Sequence, residues 1–139
     1  MAKVLYSILF YRLKKGANNM SKKILVVDDE PDILKVVLFR LNKLGYEVLT
    51  ATNGIEALDS ARENMPDLIL LDLMIPVLDG VEVAKRLKSE EETKYIPIII
   101  VTASTHKVAE KAKECQAEDY ITKPFVPEEL VEKIKKFIG

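Results

Sequence analysis

Five polar side chains each lie at or just after the end of a short apolar run of the sequence. These residues are Asp28, Asp29, Asp72, Thr102 and Lys123. Three carboxylates with no histidine or cysteine beside them favour a hard cation, and they favour Mg²⁺ over Zn²⁺. Because Mg²⁺ commonly joins protein carboxylates to a phosphoryl group, the residue types predict a site for phosphoryl chemistry.

The three aspartates differ in their setting, and this difference indicates separate roles. Asp28 and Asp29 are adjacent and are predicted to be metal ligands, whereas Asp72 stands alone and is predicted to be the nucleophile. An aspartate that attacks phosphorus forms an aspartyl phosphate. Lys123 supplies a compact positive charge for a phosphoryl oxygen, and Thr102 supplies a hydroxyl donor.

Each of these residues has a simpler interpretation when it is taken alone. An acid just after a strand is most often the N-cap of a helix, so Asp28 or Asp29 could have only that role. Lys123 by itself would be an ordinary surface lysine. The joint occurrence of these groups at four strand ends favours a functional site over the separate explanations.

Other polar residues near these positions are not assigned to the site. Glu30, the third acid of the run "DDE", is interpreted as a charge at the start of a helix rather than as a ligand. Asp79, which precedes a glycine, is predicted to form a turn. His106 is predicted to lie on the surface of a polar helix, and Cys115 to be a small, partly buried residue that is no nucleophile.

Five short apolar runs alternate with longer stretches that have helical spacing, which predicts five βα units. The runs "LILL" and "IIIV" do not alternate apolar and polar residues, so both of their faces are expected to be buried. That pattern is typical of a parallel sheet with helices on both faces. In such sheets a site lies at the carboxyl ends of the strands, where the five candidate residues are placed. The predicted strands are 24–27, 46–51, 68–71, 96–101 and 118–121.

Local signals indicate where several helices begin and end. Gly45 is predicted to end the first helix, and Asn53 to cap the second, which runs to about Glu63. A third helix follows Asp79, and a polar fourth helix is predicted over residues 105–115. The fifth helix has acids at its start and lysines near its end, which complements the helix dipole.

The length, the charge balance and the apolar runs of the sequence fit one domain without a membrane span. The chain has 139 residues, and 21 Lys and Arg face 22 Asp and Glu, so the charge gives no general attraction to nucleic acid or membrane. No apolar run reaches the roughly 18 residues of a membrane helix. The single cysteine excludes an intramolecular disulfide and fits a cytoplasmic protein.

Residues 1–19, "MAKVLYSILFYRLKKGANN", precede a second methionine and are predicted to be a leader, with the domain over residues 20–139. They are interpreted as an upstream start or an added leader. The alternative is an amphipathic segment that docks on a surface, and a signal peptide is disfavoured because no small-residue cleavage site follows.

Four motifs together resemble those of response-regulator receiver domains, in order from about Ser21 to Gly139. They read "ILVVDDEPDI", "DLILLDLMIPVLDG", "IPIIIVTA" and "DYITKPF". The resemblance, which is to single-domain chemotaxis-type receivers, implies a flavodoxin-like, doubly wound α/β fold with a five-stranded parallel sheet in the order 2-1-3-4-5. It implies a signalling switch in a phosphorelay rather than an enzyme. A sensor histidine kinase or histidine phosphotransfer protein would donate the phosphoryl group, and a downstream protein would be the target.

The resemblance also implies a role for individual residues around the metal. Asp72 corresponds to the phosphoacceptor and Asp29 to the direct Mg²⁺ ligand. Asp28 corresponds to the acid that reaches the metal through water. Met74 stands where the family uses a backbone carbonyl as a further ligand.

A second group corresponds to the family's switch. Thr102 matches the switch hydroxyl, Tyr120 the switch aromatic residue and Lys123 the lysine that contacts the phosphoryl group. The Lys123–Pro124 bond is expected to be cis. Phosphorylation is expected to shift the population of conformations at the surface formed by the fourth helix, the fifth strand and the fifth helix. The protein is expected to be a monomer, or a weak dimer that pairs through this surface.

Two departures and two alternatives accompany the resemblance. Gln116 replaces a common glycine, and the spacing from Thr102 to Tyr120 is one residue short, so the fourth helix and its exit are in question. One alternative is a Mg²⁺-dependent phosphohydrolase with an aspartyl phosphate, but Met74 stands where that class has a second aspartate. The other alternative is an interaction-only or engineered module of receiver fold.

Overall fold

The computed structural model describes residues 21–104 and 106–139, so the predicted leader lies outside the described residues. Strands and helices alternate along the described chain, as the sequence predicted. The strands are β1 (Lys23–Val27), β2 (Glu47–Ala51), β3 (Leu68–Leu71), β4 (Ile98–Thr102) and β5 (Asp119–Thr122). The helices are α1 (Pro31–Lys43), α2 (Gly54–Asn64), α3 (Gly80–Ser89), α4 (Val108–Glu114) and α5 (Pro127–Ile138).

The sheet has the order β2-β1-β3-β4-β5 and all of its pairs are parallel. All residues of β3 and β4 are buried, which confirms that the non-alternating runs form central strands covered on both faces. The buried apolar residues divide into two clusters, as expected for helices on both faces of the sheet. The flavodoxin-like fold is therefore confirmed.

Most helix ends follow the local signals. Gly45 has a φ of 93°, in the left-handed region that glycine adopts without strain, and it lies just after α1. The Asn53 side chain accepts a hydrogen bond of 2.9 Å from the Glu56 backbone N–H, so Asn53 caps α2. Asp79 does more than form a turn, because its carboxylate accepts a hydrogen bond of 3.1 Å from the Glu82 N–H and caps α3.

The fourth helix is shorter than predicted. It begins at Val108 and ends at Glu114, whereas the spacing predicted a helix over 105–115. Non-glycine residues with left-handed backbone lie on either side of it, Lys107 at a φ of 52° and Gln116 at 62°. A left-handed residue cannot continue a right-handed helix. His106 is exposed as predicted, but it precedes the helix, and Cys115 is fully buried rather than partly.

Candidate functional site

Three aspartates meet at the carboxyl ends of β1 and β3, which are neighbours in the sheet. Val27 of β1 lies opposite Leu71 of β3, so the residues that follow are brought side by side. Each of Asp28, Asp29 and Asp72 places one carboxylate oxygen within 4.8 Å of the other two. Asp28 and Asp72 are buried, while Asp29 is exposed to solvent.

Lys123 joins the aspartates from the end of β5. Its backbone N–H donates to the Thr102 carbonyl at 2.9 Å, which fixes the chain beside β4. Its Nζ donates to Asp28 Oδ2 at 2.6 Å and to Asp72 Oδ2 at 2.9 Å. Only 7% of the Lys123 side chain is exposed. The interpretation of Lys123 as an ordinary surface lysine is therefore wrong.

Glu30 also contacts this lysine, which the sequence did not predict. Glu30 is the N-cap residue of α1, yet its side chain makes no capping hydrogen bond. Its Oε1 instead accepts a hydrogen bond of 3.0 Å from Lys123 Nζ. The only signal in the sequence was the third acid of the run "DDE". Asp28 is not the N-cap of α1, because that position belongs to Glu30; the Asp28 Oδ1 instead accepts the Glu30 N–H at 2.9 Å, before the helix begins.

The electrostatics of the site follow from burial and from these hydrogen bonds. Burial raises the pKa of Asp28 because it penalises the charged carboxylate, and the hydrogen bonds from Lys123 and the Glu30 N–H only partly oppose this. Burial also penalises the charged form of Lys123. Its hydrogen bonds to Asp28, Asp72 and Glu30 outweigh that penalty and raise the pKa of the lysine, which therefore stays positively charged.

The backbone after β3 holds Asp72 in place. The Met74 N–H donates to Asp72 Oδ1 at 2.9 Å, so both oxygens of Asp72 have a donor. Gly80, the first residue of α3, lies so close that an added Cβ would be 2.4 Å from the Asp72 carbonyl oxygen. Only glycine fits this approach of α3 to the site. The proposed role of the Met74 carbonyl as a metal ligand stays a prediction.

Of the two predicted switch residues, Thr102 is the last residue of β4 and Tyr120 lies within β5. Thr102 is fully buried, and its Oγ1 accepts a hydrogen bond of 3.3 Å from the Ser104 N–H. Tyr120 is 37% exposed. The Lys123–Pro124 peptide bond is cis, as expected. Thr102 thus lies one strand away from Asp72, since β4 pairs with β3.

The donor set fits a magnesium ion. Three carboxylates supply hard oxygen ligands, and Asp29 is open to solvent, which suits an ion that keeps several waters. Lys123 is the charged partner of the two buried aspartates. Asp28, Asp29 and Asp72 would hold the ion, which on binding would neutralise charge on a phosphoryl group.

Comparison with known proteins identifies the family. The model of the response regulator receiver domain matches residues 24–135. The chain belongs to the response regulator receiver domain family. The receiver domain is thus part of two-component signalling, in which such domains act as switches that interact with histidine kinases and downstream targets.

The relatives include short and long proteins. The receiver domain is 40% identical to the polar-differentiation response regulator DivK of Brucella anthropi, over 86% of this chain and 98% of DivK. It is 43% identical to the alkaline phosphatase synthesis transcriptional regulatory protein PhoP of Bacillus subtilis, over 86% of this chain. That match covers 49% of PhoP, so this chain spans about half the length of that relative.

Solved structures of the family are similar in fold. The chemotaxis response regulator CheY4 of Vibrio cholerae matches with a TM-score of 0.79 and 34% identity, over 85% of this chain and 99% of CheY4. The receiver domain of the histidine kinase PA1611 from Pseudomonas aeruginosa matches with a TM-score of 0.76 and 34% identity. The match covers 86% of this chain and 98% of the PA1611 domain, which was solved with a magnesium ion in its active-site cleft. Among the described residues, no helix is long and apolar enough to cross a bilayer.

Proposed function

We propose that this receiver domain accepts a phosphoryl group on Asp72 from a sensor histidine kinase or a histidine phosphotransfer protein, with Mg²⁺ as its cofactor. The observation that carries the proposal is the position of Lys123, whose ammonium group bonds both Asp72 and Asp28. A buried lysine beside a buried aspartate is suited to bind the oxygens of a phosphoryl group that arrives at that aspartate. Family membership favours this switch over the phosphohydrolase alternative, and the intact acidic site favours it over an interaction-only module.

The transfer uses the carboxylate of Asp72 as its nucleophile. One Asp72 oxygen forms a new bond to phosphorus as the bond from phosphorus to the donor's imidazole nitrogen breaks, and that nitrogen keeps the electron pair. Lys123 donates to a phosphoryl oxygen and offsets its charge. Later hydrolysis of the aspartyl phosphate returns Asp72 to its carboxylate.

The switch follows from the same contacts. We expect Thr102 to turn its hydroxyl toward the phosphoryl group and Tyr120 to move into the space that the threonine leaves. This change would shift the population of conformations at the surface formed by α4, β5 and α5. That surface would bind a downstream protein or pair weakly with a second copy, and nucleic acid would not bind through this domain.

Two features of the whole chain are part of the proposal. We assign residues 20–139 to the receiver domain and residues 1–19 to a leader, and we place the protein in the cytoplasm. The match to DivK, which covers 121 residues and 98% of DivK, supports the assignment of residues 20–139 to one receiver domain.

Intact-protein mass spectrometry tests the proposal. The wild-type protein, incubated with Mg²⁺ and acetyl phosphate, is expected to gain one phosphoryl group, and Asp72→Asn to gain none. Asp59→Asn is the matched control, because Asp59 is an exposed aspartate on α2 and its substitution is expected to leave the gain intact. A wild-type protein without an adduct, or an adduct that persists in Asp72→Asn, would contradict the assignment.

A further inference from the structure

The ammonium group of Lys123 has no donor left for a new ligand. A lysine carries three N–H donors, and here they reach three carboxylates, those of Asp28, Asp72 and Glu30. The three contacts differ in their access to water. The side chains of Asp28 and Asp72 are only 3% and 4% exposed, whereas that of Glu30 is 55% exposed.

A phosphoryl group on Asp72 needs one of these donors. The group brings additional oxygen acceptors to the position that Lys123 Nζ already faces. Of its contacts to Glu30 and Asp28, Lys123 gives up the one to Glu30 more easily, because water can replace a contact at an exposed carboxylate at little cost. Breaking the contact to Asp28 would instead leave a buried charge without its partner.

We propose that Glu30 is a positioning residue that holds the third donor of Lys123 in the unphosphorylated protein and competes with the phosphoryl group for it. This inference rests on the proposed function of Asp72 and adds a residue to it. Glu30 and Lys123 lie 93 positions apart, so their contact also ties the start of α1 to the end of β5. Phosphorylation would break this contact, and the Glu30 carboxylate would then be hydrated by solvent.

Removing the competitor is expected to strengthen binding of a phosphoryl mimic. Beryllofluoride is the reagent that activates the related DrrB receiver domain, and it can be titrated into this protein with Mg²⁺ by calorimetry. We expect Glu30→Ala to bind it about two- to five-fold more tightly than wild type, as for the loss of one exposed ion pair. Glu30→Gln retains a neutral acceptor and is expected to fall between the two.

A nearby acid that does not bond Lys123 provides the control. Asp32 is exposed in the first turn of α1, and Asp32→Asn removes the same charge two residues away. Its affinity for beryllofluoride is expected to match wild type. Unchanged or weaker binding by Glu30→Ala would overturn the inference. Tighter binding could not come from damage to the start of α1, because such damage can only weaken binding. Equal tightening in Asp32→Asn would overturn it as well, since it would show a general effect of charge.

The same titration separates this inference from the proposed function. A wild-type protein that neither binds beryllofluoride nor gains a phosphoryl group would overturn both. A wild-type protein that does both, combined with Glu30→Ala at wild-type affinity, would overturn only the role of Glu30.

Discussion

At the scale of single residues, Val77 in the loop between β3 and α3 has a backbone that its side chain disfavours. Its φ is 73°, in the left-handed region, and its side chain is 76% exposed. A left-handed conformation costs an L-residue roughly 1–2 kcal/mol, and the cost is greatest for β-branched residues such as valine. Little burial compensates for that strain.

Val77→Gly is therefore expected to stabilise the protein. Glycine removes the strain and adds some disorder to the unfolded chain, which leaves a net gain of about 0.5–1 kcal/mol in the free energy of unfolding. Urea unfolding in the absence of Mg²⁺ measures it. Val36→Gly is the matched control, because Val36 is an exposed valine inside α1, and there we expect a loss of about 0.5 kcal/mol or more. A loss of stability in Val77→Gly would show that the loop is not strained.

At the scale of elements, α3 is positioned by its N-cap residue and its first residue. Asp79 caps the helix through the Glu82 N–H, and Gly80 allows it to approach the backbone of Asp72. The Gly80 N–H also donates to the Leu73 carbonyl at 3.0 Å. The start of this helix therefore supports the loop that carries the proposed phosphoacceptor.

Loss of the Asp79 cap is expected to destabilise the domain. Asp79→Ala leaves the Glu82 N–H without its acceptor and should lower the free energy of unfolding by about 1 kcal/mol. Asp79→Asn keeps an oxygen acceptor in the same place and should remain within about 0.5 kcal/mol of wild type. Chemical unfolding of the three proteins measures both values. Equal stability of Asp79→Ala and wild type would mean that the cap contributes nothing.

At the scale of the whole molecule, the sheet assembles a charge cluster from distant parts of the chain. Asp28 and Asp72 come from adjacent strands, and Lys123 comes from the far edge strand β5. One lysine does not balance three carboxylates and Glu30, so the folded protein keeps an excess of negative charge at this edge. A bound divalent cation would relieve that repulsion and favour the folded state.

We therefore expect millimolar Mg²⁺ to raise the melting temperature. At a concentration 100-fold above the dissociation constant, the ion stabilises the folded state by about 2.7 kcal/mol, which corresponds to a rise on the order of 5–10 °C. Differential scanning calorimetry measures it. Asp29→Asn should abolish most of the rise, whereas Asp59→Asn, at an exposed residue of α2 outside the acidic cluster, should keep it. If Mg²⁺ left the melting temperature of the wild type unchanged, the cluster would have no role in binding the metal.

The sequence by itself determined the fold and the principal site candidates. Short apolar runs that do not alternate and that lie between helical patterns favour buried parallel strands, and the carboxyl ends of such strands lie at one edge of the sheet. That Asp28 and Asp72 meet also depends on the strand order 2-1-3-4-5, which the resemblance to receiver domains implied and the pairing of Val27 with Leu71 confirms. Local chemistry also indicated the cap at Asn53, because a cap depends on residues within one helical turn.

Only the tertiary structure decided the partners of long side chains and the extent of α4. Glu30 and Lys123 are 93 positions apart, and no local pattern specifies a contact that forms when β5 docks at the sheet edge. The helical spacing over 105–115 did not reveal the left-handed residues Lys107 and Gln116, because packing can impose a backbone that propensity disfavours. Local interactions set the elements, and the docking of distant elements completed the site.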